Sequence, residues 1–231
     1  TGSYQMSPDG RQLAFSADTF DDCKADLACT QKRLDETKAK KSTGVVYEQL
    51  FVRHWDTWAD GRRSRLFVAD LPTAKAKPVA SVVSLTDSLD GDAPSKPFGD
   101  ASEYTWAPDG KSLVASVRVA GKGEAWSTNF DLYRVNADGT GAPVNLTAAN
   151  LAWDTGPVFS ADGKTLFYRP INRPVLSADR FSFMSMHLCR APTRQLAAPR
   201  ECSPHGVALS AHHQPTHTPA RPLPPPPFLR L

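Results

Sequence analysis

The chain has 231 residues, a formal net charge of +3, 40% hydrophobic and 22% charged residues, and no apolar run near the roughly 18 to 20 residues that a membrane span needs. That is material for one globular domain, and too little for a large catalytic domain added to a complete repeat array. The charge is unevenly placed: residues 187–231 hold five Arg, no Lys and one acid, Glu201, so the rest has no basic surplus to neutralise phosphates and nucleic acid is not an expected partner.

In chain order, the first predicted element is a hairpin, YQMSPDGRQLAFSA, turning at Ser7-Pro8-Asp9-Gly10. Asp-Gly supplies the positive φ of a two-residue turn, and Pro before it presets φ for turn entry. An insertion over about 17–64 follows. Within it one helix is predicted from Asp22 to Lys41, capped by Asp22, with Leu27 and Leu34 on one face and Glu36 and Lys40 spaced as an ion pair. Strands are expected at Arg65 to Asp70 and Val82 to Thr86. The sequence then repeats: a second hairpin, YTWAPDGKSLVASVR, is followed by a strand at Asp131 to Val135, a turn at Asp138-Gly139 and a strand at Pro143 to Thr147. A third hairpin, PVFSADGKTLFYRP, turns at Ser160-Ala161-Asp162-Gly163. Gly206 to Ala211 repeats the lead-in to that turn, but His212-His213-Gln214-Pro215 stands where Asp-Gly should be, so this unit cannot close as its siblings do. The run Pro222 to Pro227 is extended polyproline or disorder.

Four short strands per unit of about 50 residues is the signature of a β-propeller blade. The expected fold is all-β: an incomplete propeller of about three blades over 1–186 with one helical insertion, then a disordered, anomalous tail over 187–231 that holds the degenerate fourth unit. The tail is rich in Pro, Arg, Ala and His and holds a single Gly, the composition of a GC-rich coding strand read out of frame. It is expected not to be the native continuation. Open strand edges of an incomplete propeller predict self-association.

The Ser-Pro-Asp-Gly hairpins, the stretch Tyr47-Glu48-Gln49-Leu50-Phe51-Val52-Arg53-His54-Trp55-Asp56-Thr57-Trp58, and Glu124-Ala125-Trp126-Ser127-Thr128-Asn129 together resemble the N-terminal propeller of prolyl oligopeptidase family serine peptidases, in the bacterial dipeptidyl- and acylaminoacyl-peptidase branch. The resemblance covers roughly residues 4 to 186. It implies a propeller that admits short peptides to an α/β-hydrolase domain whose Ser, Asp and His do the chemistry. This chain has no Gly-x-Ser-x-Gly nucleophile elbow, so no catalytic residue is assigned, and neither a cofactor nor a metal is expected. The alternative is a periplasmic protein-binding propeller resembling the Tol-system propeller protein, which uses similar hairpins.

Glu48, Arg53, His54, Trp55, Asp56 and Trp58 are the candidate substrate-facing residues. Their indoles would stack on peptide side chains, and Asp56 or Glu48 would pair with a substrate amino terminus. The competing account has both Trp packing the insertion onto the blade and Arg53 paired with Asp56. Cys23 and Cys29 are too far apart for a C-x-x-C zinc pair and within reach of a small disulfide loop, two reduced thiols being the alternative. The family branch is often exported, which favours the disulfide and a periplasmic or secreted location over the cytoplasm. Asp87, Asp90 and Asp92 depart from calcium-loop spacing and read as a solvated loop. Asn145-Leu146-Thr147 matches a glycosylation sequon but also closes a blade strand. The tail's His212, His213 and His217 and its Cys189 and Cys202 are assigned no role.

Overall fold

A computed structural model describes residues 2–48, 50, 52–72, 82–188, 194–197, 204–209 and 215–219. Its elements, in order, are β1 (Tyr4–Met6), β2 (Gln12–Phe20), α1 (Leu27–Ala39), β3 (Arg53–His54), β4 (Thr57–Trp58), β5 (Arg62–Asp70), β6 (Val82–Ser84), β7 (Tyr104–Trp106), β8 (Ser112–Val117), β9 (Asp131–Asn136), β10 (Val144–Asn145), β11 (Asp154–Phe159), β12 (Thr165–Pro170), β13 (Phe183–His187), β14 (Arg194–Ala197), β15 (Pro204–Leu209) and β16 (Pro215–Pro219). The strands form three four-stranded sheets, ordered β1-β2-β5-β6, β7-β8-β9-β10 and β11-β12-β13-β14, and two hairpins, β3-β4 and β15-β16. Every strand pairing within these sheets is antiparallel.

The three Asp-Gly hairpins open the three sheets, but their loops hold four residues rather than two. Ser7 pairs with Gln12, and the N–H of Gly10 donates to the Ser7 carbonyl at 2.9 Å, so Ser7 to Gly10 is a β-turn and Gly10 (φ 71°) follows it in the left-handed region. Asp9 supports the turn from its side chain. It accepts from the Ser7 hydroxyl at 2.7 Å and the Arg11 N–H at 3.1 Å, and these two bonds, the hydroxyl first, hold its pKa below the usual value. Asp162 repeats the arrangement with Ser160 and Lys164, and Asp109 keeps only the backbone half, because Ala107 replaces the Ser.

A second repeated device joins strands three and four of the first two sheets. The buried Thr86 hydroxyl accepts the Leu66 N–H at 3.1 Å, and the buried Thr147 hydroxyl accepts the Leu132 N–H at 2.9 Å. In both sheets the preceding Leu, Leu85 or Leu146, donates its N–H to the carbonyl of that same third-strand Leu at 2.8 Å. The sequon residue Asn145 is engaged in this latch: its amide donates to Asp131 at 2.8 Å and its oxygen accepts the Thr147 N–H at 3.0 Å.

The sheets stack through alternating side chains. Leu113, Ala115 and Val117 of β8 face the first sheet, meeting Leu66, Val68 and Ala14, while Val114 faces the third, meeting Leu166 and Tyr168. Leu66, Leu113, Val114 and Leu166 have no exposed surface, and each such side chain contributes about 1.5–3 kcal/mol.

Three expectations change in detail. The helix begins at Leu27, not Asp22, because Asp26 supplies the N-cap and accepts the Cys29 N–H at 2.9 Å; Lys40 is the C-cap, outside the helix. Asp22 instead pairs with Arg33. The insertion connects β2 to β5 over residues 21–61, since the ladder between those strands runs from Gln12↔Asp70 to Phe20↔Arg62. In the segment expected to be disordered, β14 completes the third sheet and β15 pairs with β16. A strand edge is a template for any following chain that can extend, whatever its composition. Glu201, Cys189, Cys202, His212, His213 and the proline run lie outside the described residues.

Candidate functional site

Antiparallel order sends alternate connections to opposite ends of a sheet. The Asp-Gly turns occupy one end. At the other lie the connections over 21–61, 85–103, 118–130, 146–153 and 171–182, and these contain every candidate residue.

The stretch containing Arg53 to Trp58 is a hairpin of its own. Arg53 pairs with Trp58 and His54 with Thr57, which leaves Trp55 and Asp56 as a two-residue loop with Trp55 in the left-handed region (φ 52°). Trp55 is 71% exposed and Trp58 58%, so neither indole is buried against the sheets. Trp55 sits 5.1 Å from the ring of Phe98, itself 69% exposed, and 5.6 Å from His54; Trp58 stacks on Tyr47 at 6.1 Å, and the Arg53 guanidinium lies over Trp58 at 5.3 Å. Glu48 and Asp56 are exposed. Cys23 and Cys29 are joined by a disulfide with Cα atoms 5.6 Å apart, at the start of α1.

Sequence reasoning missed an ionic network beside this hairpin. Arg63 contacts Asp90 at 2.9 Å, Glu124 at 3.1 Å and Asp92 at 3.5 Å, and Arg118 reaches Glu124 at 3.3 Å. Lys96 pairs with Asp18 at 3.1 Å. Asp90 keeps the solvated position expected of it, its side chain being 61% exposed, whereas Asp92, at 13%, is drawn in against Arg63 and departs from that expectation. Asp92 also accepts the Ser64 N–H at 2.6 Å, yet burial outweighs Lys96, that N–H and Arg63 and pushes its pKa up. For Arg63, burial pulls the pKa down but Glu124 and Asp92 overcome it, and the net shift is upward. Behind them the buried Arg65 ties the 85–103 connection down, donating to the carbonyls of Thr86, Leu89 and Gly91 and pairing with Asp21 at 2.6 Å. Among the described residues no group of three His, Cys, Asp or Glu could hold a metal ion, and no helix is long and apolar enough to cross a membrane.

No family model matches the chain. Individual proteins do. It is 32% identical over 182 residues to dipeptidyl-peptidase 5 of Porphyromonas endodontalis, covering 76% of this chain and 24% of the relative. It is 28% identical over 181 residues to the protein of the same name from Porphyromonas gingivalis, and 28% identical over 202 residues to dipeptidyl-peptidase 4 of Giardia intestinalis. The chain spans about a quarter of the length of the curated relatives it matches.

Proposed function

The chain belongs to the prolyl oligopeptidase family, matching part of its dipeptidyl-peptidases, and on that premise we propose that it forms the first blades of a β-propeller that admits short peptides to a serine peptidase, without itself carrying out the chemistry. The reading is supported above all by one observation: the end of the sheets that carries the irregular connections also carries the exposed Trp55, Trp58, Phe98 and Trp126. Exposed aromatics grouped among polar side chains are what a peptide-contacting surface requires. Face-to-face packing of three sheets of one strand order supports the propeller. The Cys23–Cys29 disulfide supports an oxidising compartment, so the proposal includes a periplasmic or secreted location.

The test is made on the product of the native locus. A fluorophosphonate probe is expected to label a polypeptide containing this sequence, which then releases dipeptides from short peptides and discriminates against long ones. Trp55→Ala with Trp58→Ala is expected to weaken that discrimination while leaving turnover of a chromogenic dipeptide substrate unchanged. Absence of labelling, or the same length discrimination in the double variant, overturns the proposal.

A further inference from the structure

The segment Glu124 to Phe130 has no strand partner over most of its length, yet its side chains and backbone reach all three sheets. Glu124 is gripped by Arg63, from the first sheet, at 3.1 Å and by Arg118, from its own, at 3.3 Å. Arg118 also donates to the Ser127 carbonyl at 3.2 Å and lies over the Phe130 ring at 5.1 Å. The Ser127 hydroxyl accepts the Asn129 N–H at 3.2 Å, and the Thr128 hydroxyl accepts the Val175 N–H, from the 171–182 connection of the third sheet, at 2.8 Å. In the orientation that satisfies both amide atoms, Asn129 donates to the carbonyls of Asn150 at 3.1 Å and Ala152 at 3.0 Å. Phe130 continues into a stack with Trp153 at 5.3 Å, which meets Phe181 at 5.5 Å. The segment is a staple across the loop end of the molecule. Within it Trp126 stands out, 65% exposed.

We infer that Glu124 is a positioning residue: held between Arg63 and Arg118, it fixes the staple so that the Trp126 indole is presented to a peptide that Glu124 itself does not touch. This rests on the reading of the loop end as peptide-contacting. The Glu124 side chain is 15% exposed and those of Arg63 and Arg118 are 23% and 18% exposed, so the grip is shielded from solvent and already occupied, whereas the indole of Trp126, next but one in the chain, is not. Shielded charge-assisted pairs hold geometry better than exposed ones, and small displacements of a contacting group are costly to binding.

Labelling the chain with 5-fluorotryptophan gives one ¹⁹F line for each of Trp55, Trp58, Trp106, Trp126 and Trp153, assigned by single Trp→Phe variants. Glu124→Ala and Arg63→Ala are each expected to move the Trp126 line, leaving that of the buried Trp106 in place, and the double variant is expected to move it no further than either alone. A short peptide with an aromatic side chain is expected to move the Trp126 line of the unaltered chain, with a half-saturating concentration raised about tenfold by Glu124→Ala. Glu124→Gln, which keeps the side-chain volume, is read the same way where Glu124→Ala does not fold. A Trp126 line unmoved by these substitutions, or one that moves only together with Trp106, overturns the positioning role. If peptide shifts Trp126 equally in the variant, the peptide reading stands and the positioning role fails. If peptide shifts no line of the unaltered chain, the peptide reading fails and takes the inference with it.

Discussion

Asp154, at the start of β11, has no exposed surface. One of its carboxylate oxygens accepts the Asn150 amide at 2.8 Å, and the other has no hydrogen-bond partner. Burial is the largest influence and pushes its pKa from 3.8 to about 7, against the bonds from Asn150 and Thr147 and with help from the charge of Asp131. Burial and the Asp154 charge push the neighbouring Tyr168 hydroxyl up as well. The folded state therefore holds this proton more tightly than the unfolded state. Stability linked to it is complete below the unfolded value of 3.8 and is lost as pH rises to and through 7. Asp154→Asn removes the titration while keeping the shape and the acceptor for Asn150. Integrating between the two pKa values, the variant should gain about 2–3 kcal/mol relative to the unaltered chain between pH 5 and pH 8. With a urea slope of about 2–3 kcal/mol/M this is a relative midpoint shift of about 1 M. Urea unfolding of both proteins at pH 5, 6, 7 and 8, followed by tryptophan fluorescence, measures it, and titrations common to both cancel in the difference. A gap that stays constant across that range refutes the reasoning.

Two further predictions concern the joints within and between sheets. Gly139 (φ 72°) closes the turn between β9 and β10, and a Cβ there would stand 2.4 Å from Cγ1 of Val83 in the first sheet, so Gly139→Ala should cost about 1–3 kcal/mol in thermal or urea unfolding; a neutral result would mean that the two sheets are not in contact at this point. Thr147→Val leaves the buried Leu132 N–H without its hydroxyl acceptor and should cost about 1–3 kcal/mol, measured by urea unfolding against Thr147→Ser, which keeps the hydroxyl and should recover most of the loss.

The regular half of the architecture was legible because its causes are local. Asp9, Asp109 and Asp162 each accept a backbone N–H two residues away, so the hairpins could be read from consecutive letters even though the loops proved longer than two residues. The Thr86 and Thr147 latches were also within reach, since Ser84-Leu85-Thr86 and Asn145-Leu146-Thr147 occupy the same place in successive repeats. The helix start was misplaced because Asp22 and Asp26 are equally good caps by composition, and only the fold sends Asp22 to Arg33. The charge network was not legible at all. Arg63 meets Asp92 and Glu124 across 29 and 61 residues of sequence, and only the stacking of two sheets brings them together. Composition gave the aspartates in the 85–103 connection no reason to be anything but solvated.

The two ends of the sheets differ in how their backbones are held, and that difference bears on where a ligand meets the molecule. At the Asp-Gly end the turns satisfy themselves, with short-range bonds from Ser7, Asp9, Ser160 and Asp162. Such turns leave little variety of side chain to offer. The connections at the opposite end are too long to close on local bonds, so Arg63, Arg65, Arg118 and Glu124 are committed to holding them. A side chain already paired and shielded has little to gain from a ligand, because binding would first have to break the pair. The exposed aromatics at this end carry no such commitment, and of them Trp126 is the one that follows Glu124 in the chain. This is why the polar residues most conspicuous around the site, Arg63 and Glu124 among them, are better understood as scaffolding, and why substitutions at Trp55, Trp58 and Trp126 should alter recognition with little change in unfolding.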